Sequence, residues 1–196
     1  MQRREFLIAL SSTVAGGAML GGCSTSSSVT TSSSDTAASQ RRRELDAGVK
    51  TTLDRLYASV GGSREVAGKA RGMLVFPSVI AAGLGIGGQY GEGALEVNKA
   101  IEGYYNLASV SIGLQAGAQS KAIIFMFLTQ ESLDAFRKSE GWSVGADASV
   151  AVLRTGANGQ IDARTIKGPV VAFVLTNAGL MANLTLEGTK ITRLKS

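Results

Sequence analysis

Glycine inside strand-like alternation is the feature that most limits what this chain can fold into. From Gly83 to Gly93, six of eleven residues are glycine, and the chain holds 25 in all. Glycine within a strand weakens it and marks a bulge, a sharp bend or a close backbone approach. Flanked by apolar residues at a spacing of two, these glycines predict tightly coiled strands curling toward a barrel or half-barrel. Ala108, Val110, Ile112, Leu114, Ala116 and Ala118 alternate with Ser109, Ser111, Gly113, Gln115, Gly117 and Gln119. That pattern predicts a long strand or bent hairpin with one apolar and one small polar face. The unbroken apolar run from Ala122 to Leu128 predicts a strand buried on both faces. A helix is expected from Gln130 to Lys138, packed through Leu133 and Phe136-Arg137. Alternation returns at Val144, Ala146, Ala148, Val150 and Val152. A turn at Gly156-Ala157-Asn158-Gly159 precedes strands near 161–166, 170–176 and 180–187. The expected class is α+β, dominated by a strongly curved antiparallel sheet, with one N-terminal and one mid-chain helix.

Before the sheet, Leu45, Val49, Leu53, Leu56, Tyr57 and Val60 recur on one helical face. Gly61-Gly62 stop that helix. A shorter helix follows over 64–70, then a strand at 73–76 that Pro77 is expected to end. The first helix can dock its apolar face on the core. It can also lie on a membrane, with Arg41-Arg42-Arg43 meeting anionic headgroups.

The N-terminus reads as an export signal. Arg3-Arg4 precede the apolar Phe6-Leu7-Ile8-Ala9-Leu10 and a small-residue stretch. Interrupted by Ser11, Ser12, Thr13, Gly16 and Gly17, the run falls short of the roughly 20 apolar residues a spanning helix needs. Arg3-Arg4-Glu5-Phe6-Leu7 resembles a twin-arginine address. Leu20-Gly21-Gly22-Cys23 resembles the bacterial lipobox, whose cysteine carries the lipid and becomes the first mature residue. Residues 1–22 are thus expected to be removed and Cys23 lipidated. Cys23 is the sole cysteine, so no intramolecular disulfide can form and the fold must stand on its core. In the stretch 24–40, 12 of 17 residues are Ser or Thr, which predicts a disordered linker. A single domain is expected over 41–196. Loss of the signal takes the formal charge from +5 to +4, because two arginines and one glutamate leave. That suits an anionic membrane surface and is too weak to imply nucleic acid.

Candidate catalytic chemistry is sparse. With no histidine and one cysteine, Ser-His-Asp and Cys-His arrangements cannot be built. Metal sites made of His or Cys are excluded as well, leaving only oxygen-ligand ions. Gly83, Gly85 and Gly88 fit G-x-G-x-x-G, but a strand follows where the dinucleotide fingerprint needs a helix. Glu92 and Glu96 would lie about 13 Å apart along a strand, too far for paired glycosidase carboxylates. Asp147 is expected to serve as hydrogen-bonded structure. The residues read as a non-enzymatic binding or structural module without a cofactor.

Lys69-Ala70-Arg71-Gly72-Met73-Leu74-Val75-Phe76-Pro77, Ala82-Gly83-Leu84-Gly85-Ile86-Gly87-Gly88 and Tyr90-Gly91-Glu92-Gly93 resemble the opening of the SYLF domain. Gly113 to Ser120, Val144 to Val150 and Gly179 to Gly188 continue the resemblance in the family's order, over about residues 45–196. The resemblance implies a lipid-binding domain. Eukaryotic members bind phosphoinositides through a basic amphipathic N-terminal region, and fungal relatives bind actin; neither role should transfer to an exported bacterial protein. Anionic phospholipids are the nearest ligands, with Arg41, Arg42, Arg43, Lys50, Lys69 and Arg71 as the expected headgroup contacts. The alternative is an envelope scaffold that binds another protein or the cell wall through the flat face of Ser109, Ser111, Gln115 and Gln119. The expected location is the periplasmic face of a membrane. Ser24 after the lipidated cysteine favours the outer one.

Overall fold

The computed structural model describes residues 30–153, 160–161, 166, 168–177, 179–180 and 186–194, with the backbone alone for 30–35, 84–86 and 111–118. Cys23, the turn at 156–159 and most of the strands expected near 161–166 and 180–187 lie outside the described residues.

The described residues open with helix α1, Thr30–Ser59. It starts well inside the stretch expected to be irregular up to Gln40. Once Val49, Leu53 and Leu56 are pinned to the sheet, each further N-terminal residue adds a backbone hydrogen bond without a new nucleus. Residues 36–43 are exposed throughout, so this part buries no core residue. Gly62, in the left-handed region at φ 84°, turns the chain into α2, Ser63–Lys69. A Cβ at Gly62 would come 2.2 Å from the Ile161 carbonyl oxygen, so this position needs glycine on both counts.

Strands β1, Gly72–Val97, and β2, Ala100–Phe127, form one long antiparallel hairpin. It closes through Asn98 and Lys99 at φ 52° and 65°, the two-residue turn whose twist matches that of the strands. Pro77 does not end β1 as expected. It sits where the ladder shifts register between Phe76 and Val79, a bulge at which its missing N–H leaves no gap. Helix α3 spans Gln130–Lys138, capped by the Thr129 side chain. The remaining strands are β3 (Trp142–Ser143), β4 (Val150–Val152), β5 (Val170–Thr176), β6 (Gly179–Leu180) and β7 (Lys190–Arg193). The expected alternation over 144–152 is broken, because Gly145 at φ 92° turns the backbone between β3 and β4.

The sheet runs β3-β7-β2-β5-β4, with β1 along the other edge of β2 and β6 beside β5. The α+β class and the curled half-barrel stand as expected. One pair, β4 with β5, is parallel, which makes the sheet mixed.

Two cores lie on its two sides. Inside the curl, Phe76, Phe125, Phe127, Phe136 and Trp142 pack with Leu74, Leu95 and Leu107. Trp142 stands edge-on to Phe125 and Phe136, at 5.8 and 5.5 Å between centroids. Outside it, Val49, Leu53, Leu56 and Val60 of α1 cover Val75, Ala94, Ile124, Met126 and Phe173. Residues 122–127 are therefore buried on both faces.

In the upper part of the hairpin the predicted faces are reversed. Ala108 and Val110 are exposed, whereas Ser109 is half-buried and accepts a hydrogen bond from the Gln89 amide.

Candidate functional site: a basic cleft beside the hairpin turn

Five parts of the chain meet around a cleft of about 1100 Å³. Helix α1 supplies Lys50, Asp54 and Tyr57, and α2 supplies Arg64. The entry to β1 brings Arg71 and Met73, the hairpin turn brings Glu96 and Lys99, and α3 brings Leu133 and Arg137. Five cations thus face two carboxylates across a floor that is partly apolar.

The five are not equally available. Arg137 is held by Glu102 and by Asp134 at 3.1 Å, so its charge is already matched. Arg64 lies over the Tyr57 ring, 4.6 Å from its centroid, a contact that holds the guanidinium without neutralising it. Lys50, Arg71 and Lys99 make no ion pair among the described residues. Lys99 is notable for its backbone. A side chain at φ 65° costs about 1 kcal/mol relative to glycine, which such turns prefer.

Partial burial raises the Glu96 carboxyl above its ordinary value of 4.5, and Lys99 pulls it part of the way back. Its folded-state pKa therefore exceeds the unfolded one. Between the two, the folded chain binds more protons, so the penalty for the buried charge is felt at neutral pH and relieved as pH falls. The same protonation makes the cleft more positive. Binding of anionic vesicles should strengthen as pH falls from neutral toward the ordinary carboxylate range, and Glu96→Gln should flatten that step. Co-sedimentation across this range checks it.

Of the six cations expected from sequence, only Lys50 and Arg71 reach this cleft. Arg41 and Arg42 line a second groove of about 610 Å³, with Leu45, Ile101, Tyr104 and Arg193. There Arg41 stands 3.9 Å from Glu92. Arg42 lies 5.4 Å from the centre of the Tyr104 ring, whose hydroxyl donates to Asp46. Arg43 faces elsewhere, beside Gln40 and Ser39. Lys69 pairs with Glu65 one turn back at 3.1 Å. Arg64, Lys99 and Arg137 join the site without having been singled out. The one sequence signal for Lys99 is its place after Asn98 between two alternating runs.

Asp147 accepts a hydrogen bond from the Ser143 backbone N–H at 2.6 Å, which closes the turn after β3. No group of three or more His, Cys, Asp or Glu able to hold a metal occurs among the described residues. None of their helices is long and apolar enough to cross a membrane.

A curled, glycine-rich α+β half-barrel with cationic grooves beside its first helix is the class this architecture defines. Residues 108–196 match the family model described as Ysc84: Las17-binding protein actin regulator. The SYLF resemblance is thereby borne out over that segment. No curated protein matches the chain. Within the matched segment lie β7, α3 and most of β2. Helices α1 and α2, strand β1 and the turn residue Lys99, which carry most of the cleft's charge, precede it.

Proposed function

We propose that this protein is an exported lipoprotein, tethered through Cys23, whose domain binds phospholipid by its anionic headgroups. The observation that carries the reading is the cleft, where Lys50, Arg64, Arg71 and Lys99 gather with little to neutralise them. A phosphate satisfies such donors, and the apolar floor at Met73 and Leu133 accepts the start of an acyl chain. The domain arrangement follows: 1–22 removed, a lipidated Cys23, and a domain facing the periplasm, at the outer membrane by the Ser24 rule. The helix from Thr30 alters the tether. Residues 30–36, ahead of the groove contacts of Ala37, Ala38, Arg41 and Arg42, prolong α1 by about 10 Å at about 1.5 Å per residue on the side of the anchor. The SYLF resemblance supplies the lipid-binding expectation.

The test uses residues 24–196, which keep every described element and lack the lipid. These should co-sediment with vesicles containing phosphatidylglycerol in preference to phosphatidylcholine alone. Lys50→Ala/Arg71→Ala/Lys99→Ala should weaken that binding tenfold or more, at about 1 kcal/mol per basic residue near an anionic surface. No preference between the vesicles, or no loss in the triple variant, overturns the reading. Arg41→Ala/Arg42→Ala reports separately on the second groove and should cost less, because Glu92 already stands beside Arg41.

Lys99→Gly separates stability from binding. It should raise the unfolding free energy by about 1 kcal/mol by relieving the left-handed side chain. Binding of anionic vesicles should weaken in the same variant. Paired denaturation and co-sedimentation measurements decide this.

A further inference from the structure

The outside of the long hairpin is one continuous face. Where it bears Val75, Ala94, Ile124 and Met126, α1 covers it. The ladder carries the same face on through Ala94↔Tyr104, Tyr90↔Ala108, Gly88↔Val110 and Ile80↔Ser120, past the reach of the α1 packing. Here Ile80, Tyr90 and Val110 are 57%, 50% and 76% exposed, the three large apolar side chains so exposed among the described residues. From Val79 to Gly91 and from Leu107 to Ser120 there is no Asp, Glu, Lys or Arg. Inside the curl, the polar Gln89 and Ser109 bond to each other.

A sheet with one face in water places apolar residues inward and polar ones outward. This part of the hairpin does the reverse, which is the arrangement of strands that face lipid. The partner follows from shape as well as from chemistry. The face lies on the outside of a curl, so a second copy would touch it over a small area, whereas acyl chains conform to a convex surface.

We propose that this outer face embeds in a lipid bilayer, with Ile80 and Val110 among the acyl chains and Tyr90 at headgroup level. Insertion is shallow. Over 80–90 and 109–120, the two strands pair only with each other among the described residues, and open backbone edges are not tolerated deep in hydrocarbon. The inference rests on the phospholipid-binding reading and adds a second, uncharged contact to it.

The test places Val110→Cys in the chain of residues 24–196, where it is the sole cysteine, and labels it with an environment-sensitive fluorophore. Ala135→Cys, exposed on α3, is the control. Vesicles of phosphatidylcholine and phosphatidylglycerol should shift emission at position 110 to the blue. Lipids carrying a nitroxide near the top of the acyl chain should quench it. Position 135 should do neither. Ile80→Asp/Val110→Asp, at exposed sites where the fold is unaffected, should weaken partitioning roughly tenfold. If the protein pellets with vesicles but position 110 stays aqueous, the insertion is wrong and headgroup binding stands. If nothing pellets, both fail. A blue shift that grows with protein concentration without vesicles means that a second copy covers the face, and overturns the proposal.

Discussion

Replacing Gly93 with alanine should unfold the domain or leave it marginal, the largest single effect expected of a one-carbon change here. The hairpin is curled so tightly that β1 meets its own beginning. A Cβ on Gly93 would stand 2.4 Å from the Val75 carbonyl oxygen and 2.5 Å from the Phe76 ring. The neighbouring Gly91 is in the same position, 2.8 Å from the Ser78 carbonyl oxygen. The Phe76 ring cannot turn aside, because it is fully buried and stands edge-on to Phe125 at 6.3 Å. The backbone must therefore separate, opening the curl and the inner core together. Overpacking that moves backbone costs about 3 kcal/mol or more, against a total stability of about 5–15 kcal/mol for a domain. Urea unfolding decides it, with Gly68→Ala as the reference, since a Cβ at Gly68 meets nothing within 4 Å. Equal stability of the two variants would mean that the curl is looser than described.

Trp142→Ala should be the most costly truncation in the core. Trp142 is 2% exposed and is enclosed by Phe125, Phe127 and Phe136. Strand β3, which carries it, is two residues long and, among the described residues, pairs only with β7. Truncation leaves a large cavity and also loosens the pairing of Trp142 with Ile191, so about 3–5 kcal/mol is expected. For a domain of this size that lowers the thermal midpoint by about 10 °C or more. Trp142→Phe should keep most of the edge-to-face contacts and lose less than half as much. A loss below about 1 kcal/mol for Trp142→Ala would show that the cluster is not continuous with the fold's stability.

Local signals were read correctly where they were strong and self-contained. Helix α3 begins and ends at the expected residues because Thr129 caps it and Leu133 and Phe136 mark a single face. Strand β5 spans 170–176 as the apolar run implies. Elsewhere local rules gave way to packing. Pro77 would end an isolated strand, yet a bulge absorbs it inside a ladder that continues for twenty more residues. The Ser/Thr stretch has no reason of its own to be helical, and becomes so from Thr30 because the packed part of α1 serves as its nucleus. Strand β7 was missed, since Lys190–Arg193 is too short and too polar to be distinguished until Tyr105–Ala108 offers it an edge.

Glycine spacing and alternation were sufficient to determine a curled α+β sheet with its helices at the start and middle. Both signals act between near neighbours in the chain, so the sequence displays them directly. Which side of the upper hairpin meets water was decided by the tertiary structure alone. Alternation says that residues 108 and 109 face opposite ways, but only the direction of the curl determines which is inside, and it turns Ser109 in and Val110 out. The cleft was equally out of reach. Lys50, Arg64, Arg71, Lys99 and Arg137 are far apart in the chain, and no pattern among neighbours reports that α1, α2, the hairpin turn and α3 converge on one point. Charge in a sequence shows that cations exist, and the packing of the apolar faces beneath them decides which ones meet.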